Sequence, residues 1–261
     1  MKKIQMKILK SFFSRRWWWT TLLMLAAIGV MVRLGIWQIE RHQQRAAFNT
    51  RVTAQLNSAP IVLTPDLLAT DLTKMEYRQV SVTGTYDHSQ QIALRNQVWR
   101  ENNIGVHLLT PLVISGTHQA VLINRGWIPQ NQAAPENWKT FDEPGVVTVT
   151  GNIRISQAAP DFGGVPDPEG ALKLWNLVNL TRIAQQMPMP LLPVYIQQIP
   201  DPARLVAGSA AGAQTQMPFR AKPELDLSEG SHLGYASQWF IFALTLALGY
   251  PYFVRKQEVR N

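Results

Sequence analysis

The chain has 261 residues, a formal net charge of +8 and no cysteine, which excludes disulfides, thiolate zinc sites, covalent haem attachment through paired cysteines and thiol-based copper delivery. The charge sits in the tails. Lys2, Lys3, Lys7, Lys10, Arg15 and Arg16 open the chain and Arg255, Lys256 and Arg260 close it, whereas residues 42–231 hold 14 basic and 15 acidic side chains. Nucleic-acid binding wants a basic stripe on a folded face, so no nucleic acid is expected as a partner.

Residues 1–16 read as a basic cytoplasmic tail and residues 17–39 as a first transmembrane helix. Trp17 to Ile39 is apolar apart from Arg33 and a few neutral polar groups, long enough to cross ~30 Å of hydrocarbon. Trp17, Trp18 and Trp19 follow the basic run as interfacial aromatics do. A secretory signal peptide shares the basic start, but its apolar core is shorter and no small-x-small cleavage site precedes Arg33. Residues 40–205 read as a β-rich domain. Strands are expected at Gln79–Tyr86, Gln90–Val98, Gly105–Ile114, Ala120–Trp127, Val146–Ile155 and Val194–Ile199, with "HSQ", "ISGTHQ" and "EPG" between several of them. One helix is expected at Val178–Met187, stopped by Pro188 and Pro190. Short strands with tight connections favour an antiparallel barrel or curled sheet. Residues 206–231, rich in Ala, Gly and Ser and then in Pro, read as a flexible tether.

Leu233 to Val254 carries no charge and is followed at once by Arg255 and Lys256, so residues 232–254 read as a second span and 255–261 as a cytoplasmic tail. Positive flanks stay cytoplasmic, which places both termini inside and the middle outside. No long Arg/Ser-rich amphipathic leader is seen, and a bacterial plasma membrane is the expected address. The fold class is therefore an α+β membrane protein, a two-helix transmembrane hairpin carrying an antiparallel, β-rich, barrel-like extracytoplasmic domain.

Three stretches could carry chemistry. In "RLGIWQIER", Arg33, Trp37 and Arg41 recur every four residues on one helical face. An interfacial belt explains Trp37 and Arg41, but Arg33 lies two turns deeper, where such a charge usually faces a partner or a wet cavity. In "VLINRGWIP", Arg125 is either a hairpin arginine stacked on a tryptophan or a cation for an anion such as a carboxylate, and spacing does not choose. In "SHLGYASQWF", His232, Tyr235, Ala236 and Trp239 fall at i, i+3, i+4 and i+7 on one stripe. Neutral imidazole is a frequent axial ligand of haem iron and an aromatic stripe packs on a flat macrocycle; the bland alternative is an interfacial histidine beside a Tyr/Trp belt. His42 is a second ligand candidate, while His88, His107 and His118 read as surface or turn residues. No GxSxG, HExxH or phosphate loop occurs, and nothing points to an enzyme.

The ordered set "LGIWQIER", "VTGTYD", "TPLV", "VLINRGWIP" and "HLGYASQWF" resembles the surfeit-locus family of cytochrome c oxidase assembly factors. That resemblance covers most of the chain. It implies a membrane protein that assists maturation of haem-copper oxidases of the aa3 type, with haem a as transient ligand and an oxidase subunit, haem a synthase and the lipid bilayer as partners. The family's C-terminal histidine matches His232, the candidate ligand of haem iron. Its Trp-Gln-x-x-Arg matches Trp37, Gln38 and Arg41, and its Arg-Gly-Trp matches Arg125, Gly126 and Trp127. Tyr235 and Trp239 would line the macrocycle, with Arg41 and Arg125 near its propionates. Asn179 stands where the family often has an acid, and Gly230 and Ser231 where it often has asparagines. The rival reading is a membrane-anchored scaffold that binds an oxidase subunit without carrying haem.

Overall fold

A computed structural model describes residues 12–100, 102–160, 163–201, 205, 214, 216–223 and 225–260. Two compact units emerge, one drawn from Met1–Arg51 with Asp226–Asn261, the other from Val52–Leu225. The elements run in the order α1 (Trp18–Leu56), β1 (Ile61–Val62), β2 (Gln79–Tyr86), β3 (Ile92–Trp99), β4 (Asn103–Ile114), β5 (Ala120–Pro129), β6 (Val146–Ile155), β7 (Leu174–Trp175), α2 (Leu180–Gln185), β8 (Leu191–Gln198) and α3 (His232–Arg260).

Both α1 and α3 are long and apolar enough to cross a membrane. The expected first span ended at Ile39, yet α1 continues to Leu56 for 39 residues in all, about 58 Å at 1.5 Å per residue. The reason is local. Residues 40–56 are rich in Gln, Arg and Ala and contain neither Gly nor Pro, so propensity carries the helix on after hydropathy has ended. The two helices run antiparallel. At one end Trp17 Nε1 donates to Glu258 Oε1 at 2.9 Å, and the Tyr250 hydroxyl lies 2.8 and 2.7 Å from the hydroxyls of Thr20 and Thr21. Farther along, Gly35 admits Phe240: a Cβ at residue 35 would sit 2.7 Å from the ring. A larger residue there would have to displace the ring.

The second unit is a closed barrel. Strands β2, β6, β8, β5 and β4 form the ring, and Gly84–Tyr86 of β2 closes it on Leu112–Ile114 of β4. Four of the five junctions are antiparallel, as short strands with tight turns favour; β5 and β8 pair parallel, with β6 lying between them in the chain. Two strands of two residues each, β1 and β7, add parallel edges to β2 and β3, too brief to show a periodicity. The six expected strands are all present, with β8 starting three residues before Val194.

Alternation builds two cores from one strand. Val121 and Ile123 of β5 enter the barrel with Val82, Leu112, Val149 and Ile196. Leu122 points the other way, into a cluster with Ile92, Leu109, Trp175 and Ile183. Residues 216–223 fell within the expected tether, but Phe219 exchanges two backbone hydrogen bonds of 2.8 Å with Trp127, so this stretch is tied down. Most of residues 206–215 lie outside the described residues. Leu122→Ala should destabilise this unit by roughly 2–5 kcal/mol, since the side chain is fully enclosed; a denaturant titration of the detergent-solubilised chain, followed by tryptophan fluorescence, checks it.

Candidate functional site

The helix pair brings two of the sequence-derived residues together. His232 opens α3, and its Nδ1 lies 2.8 Å from Oε1 of Gln38 on α1. An amide oxygen only accepts, so Nδ1 carries the hydrogen, and in the neutral ring Nε2 is then the lone-pair nitrogen. The segment before α3 is clamped to α1. Arg45 donates through Nε to the Ser228 carbonyl at 3.1 Å and pairs through Nη2 with Asp226 at 3.3 Å, while Asn49 Nδ2 donates to the Leu227 carbonyl at 2.7 Å. His42 lies 3.9 Å from Glu229, so its Nε2 faces a carboxylate of the same chain.

The other helix residues flank this pair. Tyr235 is 49% exposed, and Trp239 is half-buried with its ring edge-on to Phe242 at 6.2 Å. Arg41 is exposed one turn beyond Gln38 and donates to Gln44 Oε1 at 3.2 Å. Arg33 and Glu40 form a 3.4 Å pair. At 100° per residue these two and Trp37 turn away from Gly35 and Gln38, and Arg33 is 64% exposed on its side chain. Arg33 and Trp37 thus lie in a different sector of α1 from the Gln38–His232 contact, while Arg41 flanks that contact.

Arg125 has a different setting from either sequence reading. Leu108 pairs with Gly126 and Leu109 with Asn124, which leaves Arg125 as the extra residue of a β-bulge. Gly126 has φ +119°, and a Cβ there would meet the Phe219 carbonyl oxygen at 2.4 Å. The bulge turns Arg125 inward, fully buried, with its guanidinium 4.9 Å from the Tyr86 ring rather than stacked on a tryptophan. Nη1 donates to Gln91 Oε1 at 3.0 Å; Nη2 donates to Glu143 Oε1 at 3.0 Å and to the Phe141 carbonyl. Arg220, 3% exposed, donates to the same Glu143 oxygen at 2.9 Å. Arg125 is therefore an interior tie holding the loop at residues 141–143, and the expectation that it offers a cation to a ligand is corrected by its burial. Trp127 likewise serves structure: its Nε1 donates to the Gln97 carbonyl at 3.1 Å, and its ring stacks on Phe219 and Trp99. Asn179 is the N-cap of α2, its Oδ1 accepting from Arg182 N at 3.2 Å.

His107, read from sequence as a surface or turn residue, lies within β4. Asn124 Oδ1 accepts from Gly126 N at 3.1 Å, which aims the amide nitrogen at His107 Nδ1, 3.0 Å away. Here Nδ1 accepts and Nε2 holds the hydrogen, the reverse of His232. The ring lines a cavity of about 1660 Å³ together with Asn124, Arg154, Tyr195, Gln197 and Arg220. Nothing in a strand's spacing marks such a residue; its only sequence signal is a titratable side chain in a mostly apolar strand. Burial pushes its pKa down to about 4 from the usual 6.5. Among the described residues no three His, Cys, Asp or Glu side chains gather as a metal site.

A sequence model of the SURF1 family matches residues 25–244. Similar known proteins include a SURF1-like protein of Monosiga brevicollis, 30% identical over 82% of this chain and 80% of its own length. A SURF1-like protein of Drosophila melanogaster is 28% identical over 85% and 74%, and surfeit locus protein 1 of Xenopus tropicalis is 26% identical over 85% and 72%.

Two outcomes follow for the barrel. Arg125→Ala should cost roughly 3–5 kcal/mol, because it breaks a buried pair and strands its partners; a thermal melt left in place would show that the arginine is not a structural tie. For His107, the unfolded chain takes up its proton near pH 6.5 and the folded chain only near 4. Its contribution is present above pH 6.5 and lost as pH falls toward 4, with a slope of at most about 1.4 kcal/mol per pH unit. His107→Gln should flatten that part of the stability–pH curve.

Proposed function

The chain belongs to the SURF1 family, and from that premise we propose that it serves the assembly of cytochrome c oxidase of the aa3 type and holds haem a as cargo at the outer end of its helix pair. In this reading α1 and α3 cross a bacterial plasma membrane with both tails cytoplasmic and the barrel outside, an orientation supported by the basic flanks of both spans. The observation that carries the haem reading is His232: an imidazole held by its Nδ1 hydrogen leaves Nε2 as a lone-pair donor. One protein nitrogen is enough for a metal that brings four ligands of its own, as a porphyrin iron does. Tyr235 and Trp239 on the same stripe supply partly open aromatic surface for an apolar ring, and Arg41, one turn from Gln38, supplies a cation for a propionate. A single neutral axial donor suits a carrier, since a second strong ligand would slow release. In this reading the chain's part in the process is binding and delivery.

A specific observation also favours a scaffold reading. The Arg33–Glu40 pair is exposed on the face of α1 turned from Gln38, where a charged pair in a membrane helix commonly meets a partner. On this reading the helix contacts an oxidase subunit, haem a synthase or both, and that contact is compatible with haem carriage.

The test is the absorption spectrum of the full chain purified from cells that make haem a, beside His232→Ala. The wild type should show a Soret band that the variant loses or shifts, with both proteins accumulating normally, since a residue at a helix end costs about 0.5 kcal/mol or less when changed. A full haem complement in His232→Ala contradicts ligation. A colourless wild type whose His232→Ala variant still fails to support oxidase assembly favours the scaffold.

A further inference from the structure

We propose that Gln38 is a positioning residue that fixes the tautomer of His232, so that Nε2 is presented as a bare electron-pair donor. The inference deepens the haem reading and rests on it for its purpose, but not for its physical content.

A neutral imidazole has one N–H and one lone pair, and which nitrogen carries which is set by the partner at the other. Unassisted histidine side chains favour the hydrogen on Nε2, the nitrogen that would have to bind a metal. An acceptor placed against Nδ1 reverses this preference, and the 2.8 Å contact with Gln38 Oε1 is such an acceptor. Its placement is built into the helix pair. Gln38 lies three residues, nearly one turn, beyond Gly35, where the Phe240 ring takes the space of a side chain. The Ser231 carbonyl accepts from Tyr235 N at 3.0 Å, so Ser231 caps α3 and the histidine is its first residue. The two side chains meet because both helices are fixed on either side of them.

The barrel holds the opposite arrangement of the same two chemical types. At His107, the Asn124 oxygen is occupied by Gly126 N, so the amide presents its nitrogen and the imidazole hydrogen is forced onto Nε2. His107 is thereby a hydrogen-bond donor at Nε2, and His232 a Lewis base. Gln38 is also neutral. A carboxylate in its place would draw the imidazole toward a negative, more strongly donating form and would hold iron more tightly; an amide orients the ring without that increase, which suits a site that must release what it binds.

The experiment uses the full chain in detergent micelles, labelled with nitrogen-15 histidine, with His232→Ala as the assignment control. At mildly alkaline pH, long-range nitrogen–hydrogen correlation spectra separate the two tautomers without any ligand. His232 of the wild type should be the Nδ1–H form, Gln38→Leu should move it to mainly Nε2–H, and Gln38→Glu should restore Nδ1–H. Iron protoporphyrin titrated into the same samples should bind roughly 10–100-fold more weakly to Gln38→Leu, and Gln38→Glu should recover binding with a lowered reduction potential. An Nε2–H tautomer in the wild type, or no change in tautomer with Gln38→Leu, overturns the proposal. If the tautomers behave as expected and the wild type binds no porphyrin, the tautomer assignment is upheld and the haem reading is the part that fails.

Discussion

A ring packed where a side chain would otherwise be sets the geometry of the helix pair. With the Phe240 ring 2.7 Å from where a Cβ of residue 35 would lie, α1 and α3 approach closely at one depth. In a membrane this matters more than in water, because lipid tails are as apolar as the side chains and helices associate through packing and hydrogen bonds. From that contact the rest follows along the helices. Three residues on, Gln38 meets His232; beyond it, Arg45 and Asn49 hold the backbone at residues 226–228. In the other direction Tyr250 is fixed by Thr20 and Thr21, and Glu258 by Trp17.

The barrel is organised around an inserted residue. A single bulge at Arg125 turns a long cation into the interior of β5's surroundings, where Gln91, the Phe141 carbonyl and Glu143 receive it. Glu143 also receives Arg220, so one carboxylate ties the loop after Phe141 to the segment that carries Phe219. Such an arrangement is costly to break from one side, whatever its net worth against an apolar substitute. The Arg-Gly-Trp motif is intelligible as architecture alone: the arginine is the tie, the glycine is the only residue that fits beneath Phe219, and the tryptophan bridges to the same segment.

Much of this was legible in the sequence, and the failures have distinct physical causes. Alternating β-branched residues marked β2 and β6 to their ends, because each has one face in the barrel core and one nearer solvent. β5 announced itself as a strand but not as one buried on both faces, since that depends on what packs outside it. Hydropathy marked the apolar stretch of α1, but helix propensity decides where the helix stops, and the polar residues 40–56 continue it. At the site, spacing along a single helix placed His232, Tyr235 and Trp239 on one stripe. It could not show which residue on α1 faces them, because that is a property of the crossing of two helices, and Arg33 and Trp37 turned out to lie in a different sector. Likewise no local pattern distinguishes an arginine in a strand from an arginine in a bulge; the extra residue is visible only against the partner strand.

The central claim is that the helix pair offers one protein nitrogen, Nε2 of His232, to a porphyrin iron. It is tested most directly by the resonance Raman spectrum of the ferrous complex of the full chain with iron protoporphyrin, recorded on protein made with ordinary and with nitrogen-15 histidine. The account expects an iron–histidine stretching band that shifts to lower frequency with the heavier nitrogen. A bound porphyrin whose low-frequency spectrum is unchanged by the label would contradict it.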